Sequence, residues 1–179
     1  TYEKRNNESL YTILKRAKAL TEVVGNYHNA GFLHLDIKPE NIFTLEETEE
    51  FVMLFDFDSV ISKKEVIQHA EWLSFTEEWA APELCQKQIR KIDERADIYA
   101  IGALLLFLLF KRKPGFSDRQ RFADWSEEIR CSVLAEEPPE TQRLVTELLR
   151  KTLATNVDSR FQDCSELLDK IEPYLNERL

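Results

Sequence analysis

Glycine is scarce in this chain. There are four glycines in 179 residues, and Gly25, Gly31, Gly102 and Gly115 are each isolated. No glycine-rich loop can be built from them. Cysteine is as sparse: Cys85, Cys131 and Cys164 lie far apart, with no C-x-x-C pair. That pattern offers no zinc-ligand spacing, and an odd, scattered count points to reduced thiols in a cytoplasmic protein. Positive charge is outweighed, with 24 Lys and Arg against 33 Asp and Glu and a formal net charge of -9. Such a balance argues against a general binder of nucleic acid or of anionic membranes, and leaves room for a local basic patch. No apolar stretch follows the charges of "TYEKRNNESLY", so no leader is expected. The longest apolar run, Ile98 to Phe110, is too short to span a bilayer and reads as a helix buried in a core.

What is present describes one globular domain. The composition is 43% hydrophobic and 32% charged, and the length suits a single core. From Leu10 the apolar positions Ile13, Leu14, Ala17, Leu20, Val24 and Tyr27 follow helical spacing. Ser9 or Asn7 can cap the start of that helix, and Gly31 suits the left-handed residue after its end. Short strands are expected at Phe32-Leu33, Ile42-Phe43 and Phe51 to Phe55, the last two joined by an acidic hairpin loop. Residues 56 to 80 show no period and read as a long functional loop. Further helices are expected over Asp97 to Phe110, Arg119 to Leu134, Pro139 to Leu153 and Gln162 to Leu175, with Asp97 as an N-cap by default. The fold class is mainly α with a small β-hairpin region.

The densest polar chemistry lies in "HLDIKPENIF", His34 to Phe43. Phosphoryl transfer needs a carboxylate to orient an acceptor hydroxyl, a cation against the γ-phosphate, and oxygen ligands for metal ions. Asp36, Lys38 and Asn41 supply those three within one loop. Asp56, at the end of a predicted strand, supplies a second carboxylate that the hairpin returns toward Asn41.

These residues resemble the motifs of protein kinases. "HLDIKPEN" is similar to the family's catalytic loop, and Asp56-Phe57-Asp58 to its DFG triplet. Ala81-Pro82-Glu83 resembles the APE motif, and "DIYAIG" the start of the central buried helix of the C-lobe. Arg160 matches the arginine that pairs with the APE glutamate, here Glu83. The five motifs occur in family order across most of the chain.

The resemblance implies a kinase C-lobe spanning 1-179, with catalytic loop 34-41, activation segment 56-83 and central helix about 97-110. Asp36 would be the catalytic carboxylate. Lys38 would meet the γ-phosphate of ATP, and Asn41 and Asp56 would hold Mg2+. Phe43 would form the floor under adenine. Thr76 would bridge Asp36 and Lys38, as in the serine/threonine-specific subclass. Asp97 would gain a second role, bonding the catalytic-loop backbone. His34 and Phe57 are expected to pack, His34 with hydrogen bonds as well.

Several features depart from the pattern. Leu35 stands where most kinases carry the arginine that meets a phosphorylated activation loop. Asp58 replaces the glycine of the triplet, where an aspartate reaches glycine-like angles only at a cost. No strand with a Val-Ala-x-Lys pattern precedes the first helix, so the N-lobe is expected to be absent and this chain alone to be inactive. The implied function is the catalytic lobe of a serine/threonine protein kinase. Its partners would be a protein substrate and the N-lobe of the parent kinase, with self-association through the uncovered face as a further expectation. Two other readings stay open: a small-molecule phosphotransferase of the aminoglycoside type, and a pseudokinase lobe that binds a protein partner.

Overall fold

The computed structural model describes residues 8–44, 52–120 and 122–178. Helix α1 spans Leu10–Asn29. The Ser9 side chain accepts the Thr12 N–H at 3.1 Å and caps the helix. Gly31 follows the helix at φ 89, where a side chain would strain the turn. Asn7, the other candidate cap, lies outside the described residues.

Two small antiparallel sheets follow. Strand β1 (Phe32–Leu33) pairs with β4 (Ile61–Ser62), in register Phe32 to Ser62 and Leu33 to Ile61. Strand β2 (Ile42–Thr44) pairs with β3 (Val52–Leu54), with Ile42 opposite Leu54 and Phe43 opposite Met53. The second pair is the expected hairpin. Its acidic loop and Phe51 lie outside the described residues. Strand β4 and a 3-10 turn at Ala70–Trp72 sit inside the segment expected to be one long loop. Trp72 is 81% exposed there, whereas Trp79 and Trp125 are buried.

The rest is helical. Helices α2 (Pro82–Cys85), α3 (Glu94–Phe110), α4 (Ser126–Arg130), α5 (Pro139–Thr152) and α6 (Cys164–Asn176) run in chain order. Helix α3 is buried on nearly every side from Ala96 to Leu109 and packs against α1 and α5, while α1 also packs on α6. Each fully buried leucine or isoleucine contributes about 1.5–3 kcal/mol, so α3, with seven buried ones from Ile98 to Leu109, forms the axis of the core. Lys111, in the left-handed region at φ 56, ends it without a glycine.

Two expectations about helices are corrected. Helix α3 begins at Glu94, not Asp97, because Asp93 is its N-cap and accepts the Arg95 N–H at 2.9 Å. The helix expected over Arg119 to Leu134 is broken into a 3-10 turn at Ser117–Arg119 and the short α4. The cause is Asp118, 3% exposed. Its carboxylate accepts from both Arg112 terminal nitrogens at 2.7 and 2.9 Å, from Gly115 N at 2.6 Å and from Trp125 Nε1 at 2.7 Å. Satisfying a buried carboxylate this fully fixes an irregular loop that a continuous helix would forbid.

Candidate active site

The loop His34 to Asn41 is hung from α3 by one side chain. Asp97 is fully buried. Its carboxylate accepts the backbone N–H of His34 at 2.9 Å and of Leu35 at 2.8 Å, and His28 Nε2 donates to it at 2.9 Å. Leu35 is at φ 64, an uncommon left-handed conformation for a branched residue. The turn at Leu35 presents its own N–H to Asp97 and carries the chain on to Asp36.

Asp36, Lys38, Asn41 and Thr76 form one network. Asp36 Oδ1 accepts the Thr76 N–H at 2.8 Å. Asp36 Oδ2 accepts from Lys38 Nζ at 2.6 Å and from Asn41 Nδ2 at 3.2 Å. Lys38 Nζ also donates to Thr76 Oγ1 at 2.8 Å, and Asn41 Nδ2 to the Asp36 carbonyl at 2.9 Å. Burial pushes the Asp36 carboxyl up, but the hydrogen bonds from Lys38 and Thr76 outweigh it and hold the group below its ordinary value. Asp36 is therefore a carboxylate at neutral pH.

The hairpin brings Asp56 to the same place. Phe55 N donates to the Asn41 carbonyl at 2.8 Å, which sets Asp56 one residue beyond that bond. Asp56 is exposed and takes φ 61, and its Oδ1 accepts the Asp58 N–H at 3.3 Å. The glycine-like angle expected at Asp58 therefore falls on Asp56 instead. Asn41 spends its amide nitrogen on Asp36, which leaves its amide oxygen for a ligand. An amide oxygen and an exposed carboxylate are hard donors, and Mg2+ takes few protein ligands beside water and phosphate oxygens. The residues present fit that ion.

Phe43 is exposed and meets Phe55 edge-on, with ring centroids 6.0 Å apart. His34 differs in part from expectation. Its ring is fully buried between Tyr27 and Phe57, at 6.2 and 6.5 Å, and neither ring nitrogen has a hydrogen-bond partner. Packing is right for His34, and its hydrogen bonding comes from the backbone. Phe57 also packs on Tyr27, at 6.2 Å.

Glu83 and Arg160 meet as expected, in a buried two-point pair at 2.7 and 2.8 Å. Arg160 also donates to the carbonyls of Ala154 and Arg95, at 2.8 and 2.9 Å, so the buried guanidinium is well satisfied. Sequence reasoning missed two residues. His28 joins Asp97 to Cys164, whose Sγ lies 3.6 Å from His28 Nδ1. Lys63 pairs with Glu94 and donates to the His28 carbonyl at 2.7 Å, tying the segment after Asp56 to α1 and α3. Both work through partners more than thirty positions away or across the fold, and no local pattern marks them.

Residues 3–171 match the protein kinase domain model. The chain is 27% identical to the serine/threonine-protein kinase PknD of Protochlamydia amoebophila over 95% of its own length and 19% of that protein's. It is 29% identical to the serine/threonine-protein kinase PKH2 of Saccharomyces cerevisiae, over 80% of this chain and 14% of that one. With the serine/threonine-protein kinase Pkn1 of Myxococcus xanthus it shares 38% identity over 51% of this chain and 13% of the relative. The chain thus spans a fifth or less of the length of these relatives.

Proposed function

The chain belongs to the protein kinase domain family, and from that premise we propose that it supplies the catalytic loop and metal-binding residues of a serine/threonine protein kinase. The observation that carries the reading is the contact of Asp36 with both Lys38 and Thr76. It holds the carboxylate ionised and aimed while leaving it able to accept a further bond. The acceptor hydroxyl donates to Asp36. Its oxygen bonds the γ-phosphorus of ATP as the bond to the ADP oxygen breaks, and its proton passes to Asp36. With a pKa below the ordinary value, Asp36 orients the hydroxyl and takes the proton late, which suits a loose transition state. Lys38 moves its charge onto the transferred group. Asn41 and Asp56 would hold Mg2+, which neutralises phosphate oxygens when bound.

The bridge from Lys38 to Thr76 favours serine or threonine as the acceptor, as in the subclass that carries both residues. A small-molecule phosphotransferase has less support, because the matching model and the relatives cited are protein kinases. Phe43, Phe55 and Phe57, each about half exposed, would form the face that meets the N-lobe of the parent kinase or a second copy. Among the described residues no helix is long and apolar enough to cross a membrane. The three cysteines are free, which supports a cytoplasmic setting.

In the complete parent kinase, Asp36→Asn is expected to lower kcat by about two to four orders of magnitude, with nucleotide affinity nearly unchanged. Asp56→Ala should weaken nucleotide binding in the presence of Mg2+ more than in its absence. Near-wild-type turnover of the first variant, or equal binding losses for the second, removes the residue from its role.

A further inference from the structure

On the wall of the molecule formed by the Ser117–Arg119 turn, the end of α5 and the loop 154–159 lies a cavity of about 680 Å³. None of the residues assigned to phosphate transfer lines it. Among the described residues three cations do: Arg119, Arg150 and Lys151. Each is held against an aromatic ring. The Arg119 guanidinium lies 5.7 Å from the centroid of Tyr99, that of Arg150 lies 5.9 Å from Trp125, and Lys151 Nζ lies 4.3 Å from Phe161. None of the three forms an ion pair with a described carboxylate. The one acidic residue on the wall among the described residues, Glu147, is paired with Lys170 at 3.4 Å. Arg119 Nε is buried with no hydrogen-bond partner.

We propose that this cavity binds a phosphomonoester dianion. Three like charges around one hollow, in a chain of net charge -9, repel one another; Arg150 donates to the Ala123 carbonyl at 3.2 Å and feels the exposed Asp124 carboxylate only at longer range. A dianion relieves that repulsion. The rings hold the cation stems in place, so little side-chain freedom is lost on binding. Two guanidinium forks match the oxygens of a phosphoryl group better than those of a singly charged carboxylate. Neutral donors complete the wall. Asn156 spends its side-chain oxygen on the Asp158 N–H, at 3.2 Å, which leaves its amide nitrogen to donate. Ser159 adds a hydroxyl. The phosphoryl group arrives either on a phosphorylated polypeptide or as a free small phosphate.

The test titrates the full chain with inorganic phosphate, with a phosphoserine peptide and with the same peptide carrying serine, by calorimetry. Phosphate-bearing probes are expected to bind and the serine peptide not to. Lys151→Gln and Arg150→Gln should each weaken binding by about tenfold, and added salt should weaken it further. Arg130→Gln, which removes an exposed cation already paired with Glu127, should change nothing. Binding of the peptide alone identifies a polypeptide source, and equal binding of phosphate a free anion; either supports the site. Circular dichroism checks each variant, and Lys151→Gln carries the test should Arg150→Gln unfold. No phosphate-dependent binding, or binding that folded variants leave unchanged, overturns the proposal.

Discussion

Single buried carboxylates organise this molecule out of proportion to their number. Asp97 suspends the loop from His34 to Asn41, Asp36 gathers it, and Asp118 shapes the loop after α3. Each accepts hydrogen bonds from separate parts of the chain, and Asp36 and Asp118, whose donors hold them below the ordinary value, link stability to pH. For Asp118 burial alone would raise the carboxyl. The hydrogen bonds from Arg112, Gly115 and Trp125 reverse this, and the group lies below its ordinary 3.8. A carboxyl lowered in the folded state stabilises it above the ordinary pKa, and that contribution is lost as pH falls through the folded value. Asp36 is lowered in the same direction. The chain is therefore expected to lose stability below about pH 4. Asp118→Asn should be less stable at pH 7 by about 1–3 kcal/mol, with a flatter dependence on acidification. Urea unfolding from pH 3 to 7 measures both, and parallel curves for the two proteins would show that Asp118 does not titrate as described.

The elements divide by how local their causes are. Helices α1, α5 and α6 were legible because an apolar face at helical spacing and a start signal, a capping Ser9 or Asp163 or the proline that opens α5, are both properties of adjacent sequence. The hairpin around Asn41 and Asp56 was legible for the same reason. Strand β4 was not, since two residues carry no period and Ile61 is a strand only because Leu33 lies opposite. The broken helix after Arg119 was not, since its cause is a carboxylate bonded to a tryptophan ring nitrogen. At the site, Asp36, Lys38, Asn41 and Thr76 could be read from their motifs, but the support from His28 and Lys63 could not. One contact between elements gives a direct test. A Cβ at Gly102 on α3 would stand 2.1 Å from Thr152 Oγ1 and 2.3 Å from Thr152 Cβ on α5. Gly102→Ala should destabilise by at least about 1–3 kcal/mol through overpacking. Adding Thr152→Gly should recover part of that loss, a coupling that a double-mutant cycle measures. Strictly additive effects would mean that the helices separate freely here.

Across the whole molecule, the pair of Glu83 and Arg160 joins residues 77 positions apart. It fastens the end of the 56–83 segment to the turn before α6, and Arg160 reaches α3 through the Arg95 carbonyl. Glu83→Gln would leave a buried guanidinium without its counter-charge, at a cost of about 3–5 kcal/mol. Hydrogen exchange should quicken at Trp79 and Ala80, whose amides close the turn after Thr76. A small loss confined to the C-terminal helix would show that the pair does not anchor the segment. The distribution of indoles lets such changes be watched without labels. Trp79 and Trp125 are shielded, while Trp72 stands in solvent on the segment that leads to Thr76. A quencher dissolved in the buffer silences the light from Trp72 and spares the other two, so the remaining emission dims only when the body of the protein opens.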